Sequence, residues 1–233
     1  MNSQKKALAA KIYLYLAALF ITSLVVSNLI FQKFFYWYPL DGEVFGSRLF
    51  ELSVGILPYP LTFLITDLIS EIYGKKAANR VVTAGIFASF FSLGILLIAD
   101  FVPAMENSPV DDATFTKVFS LSPLAVLASM IAYLLAQFVD IKIYHFWKKL
   151  THGKMLWLRN NFSTFASQFL DTFSVVFLLT LFGILPWDLF FGLVLSGFIF
   201  KIIVAALDTP LLYLLVWMFN RKFDLKPGEE IKL

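Results

Sequence analysis

Six long apolar segments run through this chain and limit what it can fold into. A helix rising about 1.5 Å per residue needs roughly 20 apolar residues to cross a hydrocarbon core about 30 Å thick. Lipid offers no partner to backbone N–H and C=O groups, so a long apolar span is helical unless the chain closes into a barrel. We therefore expect six transmembrane helices, at residues 12–32, 50–73, 81–102, 121–145, 161–185 and 189–219.

The composition agrees with a chain that is embedded in lipid. Of the 233 residues, 59% are hydrophobic and 15% are charged, whereas a soluble domain carries about 25% charged residues. The length suits one compact bundle. We expect an all-α membrane protein that forms a single transmembrane domain over residues 1–233, with its first span retained as a helix.

Prolines lie within two of the predicted spans, away from their first turn. Pro58 and Pro60 flank Tyr59 in the second span, and a residue before proline is disfavoured in helical geometry, so Leu57 and Tyr59 are expected to be extended. This predicts a Pro-broken second helix whose restart near Pro60 exposes backbone N–H groups to a ligand; a simple proline kink is the alternative. The last span is too long for a simple crossing and is either tilted or broken near residues 208–210.

The distribution of lysine and arginine predicts the orientation. Fifteen of these residues fall in the N-terminal tail, the second and fourth loops and the C-terminal tail, and only Lys33, Arg48 and Lys117 fall on the other side. This asymmetry places both termini in the cytoplasm and requires an even number of crossings. It also accounts for the basic balance of the chain, so a nucleic-acid partner is not expected.

Charged side chains inside a bilayer are costly and mark functional sites or buried pairs. Six such residues remain once the loop charges are removed: Asp67, Glu71, Asp140, Asp171, Lys201 and Asp208. Asp67 and Glu71 share one helix face because they are four residues apart. Glu71 has a possible local partner in Lys75, whereas Asp67 has none and is a candidate for function. Asp140 and Asp208 are expected to pair with lysines near the cytoplasmic side.

A polar stripe marks the fifth span. Ser163, Ser167 and Asp171 recur every four residues, and Gln168 lies beside them. Small hydroxyl groups alone are typical of close helix packing, but a stripe that ends in a buried carboxylate favours a functional site. Lys201 lies near the middle of the bilayer and is expected to pair with Asp171, either structurally or in a pair that substrate or a proton opens.

Two smaller features complete the polar pattern. Asn160 or Asn161 could cap the start of the fifth span. The strings Gln137-Phe138-Val139-Asp140 and Gln168-Phe169-Leu170-Asp171 echo each other, although four matched residues do not establish a duplication.

The chain lacks the motifs of the common enzyme classes. It contains no cysteine and no HExxH, GxSxG or GxxxxGK[ST] motif, which excludes thiolate chemistry and a self-contained ATPase with a phosphate-binding loop. His145 and His152 fall in a basic loop and are expected to be solvated. We expect no enzyme activity, no metal and no cofactor.

Two long strings resemble the queuosine-precursor transporter family, also called the vitamin uptake transporter family. They are PYPLTFLITDLISEIYGKKAANRVV at 58–82 and QFVDIKIYHFWKKLTHGKMLWLRNNFSTFASQFLDT at 137–172. The LWLRNxxST and SQxxDT elements are the specific part of this resemblance, which extends from Ser27 to Pro210.

The resemblance implies an inner-membrane importer of 7-deazaguanines, such as 7-cyano- and 7-aminomethyl-7-deazaguanine, for tRNA queuosine salvage. The implied substrate-binding residues are Asp67, Glu71, Arg159, Asn160, Ser163, Gln168, Asp171 and Lys201. A flat heterocyclic base also stacks on aromatic rings, for which Tyr59, Phe162 and Phe169 are candidates. Two alternatives remain open: a substrate-binding membrane subunit for a vitamin-like solute that needs a separate ATPase complex, and an intramembrane enzyme or lipid-handling protein.

Overall fold

Seven α-helices form the protein in the computed structural model, which describes residues 3–31, 33–36, 43–44, 47–48, 51–119, 123–183, 185–226 and 228–232. These are α1 (Ser3–Ile30), α2 (Tyr59–Ile72), α3 (Lys75–Phe101), α4 (Asp112–Phe119), α5 (Pro123–Leu150), α6 (Leu156–Leu181) and α7 (Phe190–Phe223). Single 3₁₀ turns precede α2 at Val54–Ile56 and α7 at Trp187–Leu189.

Five helical stretches among the described residues are long and apolar enough to span a bilayer: Ser3–Ile30, Val54–Ile72, Lys75–Phe101, Leu156–Leu181 and Trp187–Phe223. They make the chain a multi-pass membrane protein. The remaining predicted span, 121–145, overlaps α5, a 28-residue helix that is not among the five. Six crossings therefore stay a prediction, with α5 as the sixth. The observed α1 begins nine residues before the predicted span.

The segment between α1 and α2 contains short strands that the all-α expectation did not include. Strand β1 (Phe34–Tyr36) pairs antiparallel with β4 (Glu51–Ser53), and β2 (Glu43–Val44) pairs antiparallel with β3 (Ser47–Arg48). The fold is otherwise helical in the described residues, which confirms the fold class at that level.

The expectation of extended backbone around Pro58 is wrong. Leu57 adopts right-handed helical angles (φ −65°, ψ −45°), and its N–H donates to the carbonyl of Val54 at 3.1 Å. Tyr59 is already the first residue of α2. Prolines fit the first turn of a helix because the N–H groups there have no intrahelical acceptor. The chain thus passes from a 3₁₀ turn into α2 at Pro58, and a functional break at this point stays a prediction.

Helix α2 is the centre of the bundle. It packs against α1, α3, α5 and α7, and every residue of Thr62–Ile72 is buried. The helix ends at Ile72, and Gly74 in the turn to α3 has a positive φ of +83°, which favours glycine. The buried polar residues of α2 must therefore find partners on the surrounding helices.

Helix α7 continues through Pro210 for 34 residues. At about 1.5 Å per residue it is about 51 Å long, which exceeds the thickness of a hydrocarbon core. The alternative of a break near residues 208–210 is wrong, and the excess length extends α7 beyond the core or tilts it.

One end of the bundle collects the four basic segments, and we call it the basic end (residues 3–11, 73–80, 148–159, 221–226 and 228–232). Lys5 at the start of α1 pairs with Asp224 at the end of α7. The tail after α7 folds back over this end: the N–H of Ile231 donates to the carbonyl of Ile72 at 2.7 Å, and the side chain of Ile231 is buried. The C-terminal tail is thus part of the packed structure.

Candidate functional site

A cavity of about 430 Å³, including the part that opens out of the bundle, lies between α2, α6 and α7. Its polar lining comes from seven residues: Tyr59, Asp67, Asn160, Thr164, Gln168, Lys201 and Asp208. Apolar walls come from α2 and α7, including Phe63 and Phe200. The cavity therefore combines a few polar groups with an apolar and aromatic wall.

Lys201 is the cation of this cavity. Its Nζ donates to Asp171 and lies 4.5 Å from the centroid of the Tyr59 ring. The expected pairing of Lys201 with Asp171 is confirmed. A lysine that far from both ends of α7 is stabilised by a carboxylate and an aromatic face together.

Two amides on α6 also line the cavity. Gln168 is almost fully buried, yet its Oε1 atom has no hydrogen-bond donor among the described residues. Asn160 donates from Nδ2 to Thr209 Oγ1 at 3.3 Å. The prediction that Asn160 or Asn161 caps this helix is wrong, because α6 begins before both of them, at Leu156. An unpartnered buried acceptor is costly, so Gln168 is positioned for a donor that a ligand can supply.

The polar stripe of α6 faces the bundle interior, and Ser163, Ser167 and Asp171 are all buried. Ser167 donates its hydroxyl to Asp140 Oδ1 on α5 at 2.9 Å. Asp140 is fully buried, so the expectation that it pairs with lysines near the cytoplasmic side is wrong. The close packing of α5 on α6 brings it to the stripe instead.

Asp140 also faces Asp67 across the α2–α5 contact. Their carboxyl groups lie within hydrogen-bonding reach of each other, and both residues are buried. One oxygen of each, Asp67 Oδ1 and Asp140 Oδ2, has no donor among the described residues. We call these two residues the carboxyl pair. Because Asp67 lines the cavity, the pair is contiguous with it.

Glu71, one turn further along α2, has very different surroundings. Arg159 donates from Nη2 to Glu71 Oε1 at 2.6 Å and from Nε to Oε2 at 3.2 Å, and Tyr144 donates to Oε2 at 3.0 Å. Lys148 Nζ lies 3.6 Å from the same carboxylate. The suggested partner Lys75 is thus replaced by residues on α5 and α6, because α2 ends inside the bundle with Glu71 facing those helices.

The remaining donors of this group close the basic end. Lys148 donates to the carbonyl of Glu71 at 3.0 Å and to Glu230 Oε1 in the C-terminal tail at 2.9 Å. Arg159 Nη1 donates to the carbonyls of Gly153 and Lys154, in the turn between α5 and α6. We call Glu71, Tyr144, Lys148, Arg159 and Glu230 the Glu71 cluster.

The structure divides the eight predicted site residues into three groups. Asp67, Asn160, Gln168 and Lys201 line the cavity. Asp171 reaches it through Lys201, and Ser163 is buried behind Asn160, to whose carbonyl it donates at 3.1 Å. Glu71 and Arg159 lie outside the lining and bind each other. Glu71 and Arg159 are therefore explained more simply as a structural ion pair than as residues that contact substrate.

Two cavity or near-cavity acids were misjudged from the sequence. Asp208 lines the cavity, and Asp140 belongs to the carboxyl pair; both had been assigned to lysines. The echo of Gln-x-x-Asp on α5 and α6 was the available signal, since it places a buried amide and a buried acid on each helix.

Of the three aromatic candidates, only Tyr59 lines the cavity. Phe162 and Phe169 are about half exposed on the outside of the bundle, where they contact Trp147 and Phe198 respectively. Tyr59 instead forms an aromatic group with Phe63 and Tyr133 beside the cavity. The outward rings lie on the face of α6 opposite the polar stripe.

The histidines give no sign of a metal site. His152 is exposed as expected, but His145 is partly buried and its Nε2 has no partner among the described residues. Within the part of the chain that the structure describes, no three histidine or acidic side chains are grouped to hold a metal ion.

The comparisons with known proteins agree with this architecture. Residues 53–215 match a family described as "Putative vitamin uptake transporter". A Bacillus subtilis (strain 168) protein named "Probable queuosine precursor transporter" is 30% identical over 179 residues, which cover 73% of each chain. No solved structure matches. The matched region contains the cavity, the carboxyl pair and all of the Glu71 cluster except Glu230. The chain belongs to the vitamin uptake transporter family.

Proposed function

We propose that this chain imports queuosine precursors, 7-cyano- and 7-aminomethyl-7-deazaguanine, across the inner membrane for tRNA queuosine salvage. The observation that carries the proposal is the cavity in which Lys201, Gln168 and Tyr59 converge inside a transporter fold. The name of the Bacillus subtilis relative supports this substrate class.

The cavity chemistry fits a planar, purine-like base. Such a base carries adjacent N–H donors, which carboxylate or amide oxygens accept, and a ring carbonyl, which an ammonium or amide N–H group satisfies. Gln168 Oε1 has no donor among the residues that the structure describes, and Lys201 contributes a cation to the lining. The Tyr59 ring offers a face for stacking.

Within this proposal the predicted site residues have two kinds of role. Asp67, Asn160, Gln168 and Lys201 contact the base, while Asp171 and Ser163 position Lys201 and Asn160. Glu71 and Arg159 hold α2 against α6 and close the basic end. This closure separates the cavity from the side on which the basic end lies.

The direct test is uptake of labelled 7-cyano- and 7-aminomethyl-7-deazaguanine by cells that express this chain and lack their own precursor transport. We expect uptake above that of cells with an empty vector. Unlabelled adenine should compete poorly because it lacks the ring carbonyl of guanine. No uptake and no binding by the purified chain would disprove the proposal.

Transport by the purified chain in proteoliposomes distinguishes a self-sufficient carrier from a subunit of an ATPase complex. We expect the purified chain to transport alone in proteoliposomes. Transport that appears only when ATPase subunits co-purify would instead favour a substrate-binding subunit for a vitamin-like solute.

The proposed orientation has both termini in the cytoplasm. Single cysteines at Thr151 and Glu230, in this cysteine-free chain, should resist an impermeant thiol reagent in intact cells. Cysteines at Asn107 and Asp188, which are exposed, should react. External labelling at Thr151 would reverse the assignment.

A further inference from the structure

The carboxyl pair is an unusual feature for the interior of a membrane protein. Asp67 on α2 and Asp140 on α5 are both buried and face each other. Two charged carboxylates in contact repel, and each loses its hydration when it is buried. Such a pair is stable when the two groups share one proton.

Among the described residues, no cation is one of the groups that act most strongly on the pair. Besides Asp140, the charged groups that face Asp67 are Glu71 on its own helix and Asp208 on α7, and both are acidic. From α6 the pair receives hydroxyl groups, with Ser167 donating to Asp140. The cations of the bundle interior are engaged elsewhere: Arg159 and Lys148 with Glu71, and Lys201 with Asp171.

Within the described residues, the carboxyl pair lacks a hydrogen-bond donor that one bound proton would supply. Asp67 Oδ1 and Asp140 Oδ2 are both acceptors without a donor among the described residues. A carboxylic acid O–H on one residue would donate to the other, which satisfies the pair without any further partner. The second observation is that Asp67 also lines the cavity, so the same side chain meets both the proton and the solute.

We propose that the carboxyl pair binds one proton and couples its inward movement to import of the solute. The proposal rests on the proposed function for the identity of that solute. The proton is taken up from the outer side by the pair, moves with the loaded cavity to the inner side and is released there as the solute leaves. Asp140 is thus a coupling residue that need not touch the substrate, whereas Asp67 connects the two events.

The transport test uses the purified full chain in proteoliposomes with labelled 7-cyano-7-deazaguanine, and it measures two processes. Counterflow exchanges labelled for unlabelled solute and needs no driving force. Concentrative uptake needs an imposed gradient, with the external medium acidic relative to the lumen. We expect both in the wild type, with a protonophore abolishing only the concentrative uptake.

The decisive variant is Asp140→Asn, which keeps the shape of the side chain and can donate to Asp67. We expect it to retain counterflow and to lose at least tenfold in concentrative uptake. Asp188→Asn, an exposed acid far from the cavity, is the matched control and should retain both. Concentrative uptake at the wild-type level by Asp140→Asn, or uptake driven by a sodium gradient at equal pH, would overturn the proposal.

An infrared measurement tests the bound proton without any solute. A protonated carboxylic acid has a C=O stretching band that ionised carboxylates lack, and the band shifts in heavy water. We expect this band in the wild type at neutral pH and its loss in Asp140→Asn. A wild-type spectrum without the band would overturn the proton site even if counterflow supported the proposed function, and absent counterflow with the band present would disprove only the solute.

Discussion

Asp67 and Glu71 lie one turn apart on the same buried helix, yet their surroundings are opposite. Every oxygen of the Glu71 carboxylate has a donor, and two cations lie within ion-pair distance of it. Asp67 faces another acid and retains an oxygen without a donor. Burying a charge is tolerable when it is paired and hydrogen-bonded. We therefore interpret the Glu71 cluster as a structural connection between helices, and the carboxyl pair with its cavity as the candidate functional site.

The largest expected effect comes from breaking the Glu71 cluster. Glu71→Gln leaves Arg159 buried without its counter-charge, and loss of one partner of a buried pair costs about 3–5 kcal/mol. We expect a large loss of folded protein in detergent, measured by thermal unfolding and size-exclusion chromatography.

The control for this prediction is Glu230→Gln in the same cluster. The Glu230 side chain is 40% exposed, so water can replace it as a partner for Lys148 and little stability is lost. The double variant Glu71→Gln/Arg159→Met should recover part of the loss. Wild-type stability in Glu71→Gln would contradict the division between the two regions.

The second effect concerns Asp171 and Lys201. They form a buried ion pair, as in the Glu71 cluster, but Lys201 also lines the cavity. Asp171→Asn and Lys201→Gln should each lower stability, because each leaves a buried charge unpaired. The double variant should regain the fold yet fail to bind a 7-deazaguanine in detergent. Wild-type affinity in the double variant would mean that the pair is purely structural.

A third prediction isolates a cavity contact from the stability of the fold. Gln168→Leu removes an unpartnered acceptor, so the free energy of unfolding should change little. We expect a loss in affinity of about tenfold, which corresponds to about 1.4 kcal/mol for one hydrogen bond to the ligand. Isothermal titration with the purified protein measures this loss.

Ser196→Ala is the matched control for Gln168→Leu. Ser196 is buried on α7 and its hydroxyl also lacks a partner among the described residues, but it does not line the cavity. Its replacement should leave affinity unchanged. Equal losses in the two variants would show that Gln168 acts through packing.

The smallest effect is expected at Thr209, whose hydroxyl accepts from Asn160 and so fixes that amide at the cavity wall. Thr209→Val keeps the shape and should cost about 1 kcal/mol or less, with a few-fold weaker binding. The control is Thr83→Val, an exposed threonine whose hydroxyl donates only to its own helix, at Asn79. No change in binding for Thr209→Val would show that Asn160 is held by its backbone alone.

The sequence predicts those features that depend on local pattern. Apolar length predicts the helices, and the spacing of Ser163, Ser167 and Asp171 predicts one buried face, which the structure confirms. The pairing of Asp171 with Lys201 also followed, because an isolated charge at that depth requires a partner.

Features that depend on how helices are arranged in space were beyond such reasoning. Arg159 is distant from Glu71 in sequence, so the nearby Lys75 looked like a sufficient partner. Asp140 is close to lysines in the sequence, but it lies on the face of α5 that contacts α2 and α6. The extended backbone expected before proline was overridden by the 3₁₀ turn in which Leu57 takes part.

The returning C-terminal tail has a consequence for the biogenesis of the protein. Ile231 donates its N–H to the carbonyl of Ile72, and Glu230 accepts a hydrogen bond from Lys148. Both residues follow α7 in the sequence, so they leave the ribosome after α2, because synthesis proceeds from the N-terminus. The packing around the end of α2 is therefore complete only after the tail has been synthesised. A nascent chain interrupted after α7 would lack these contacts, and its basic end would be open to the cell's membrane proteases.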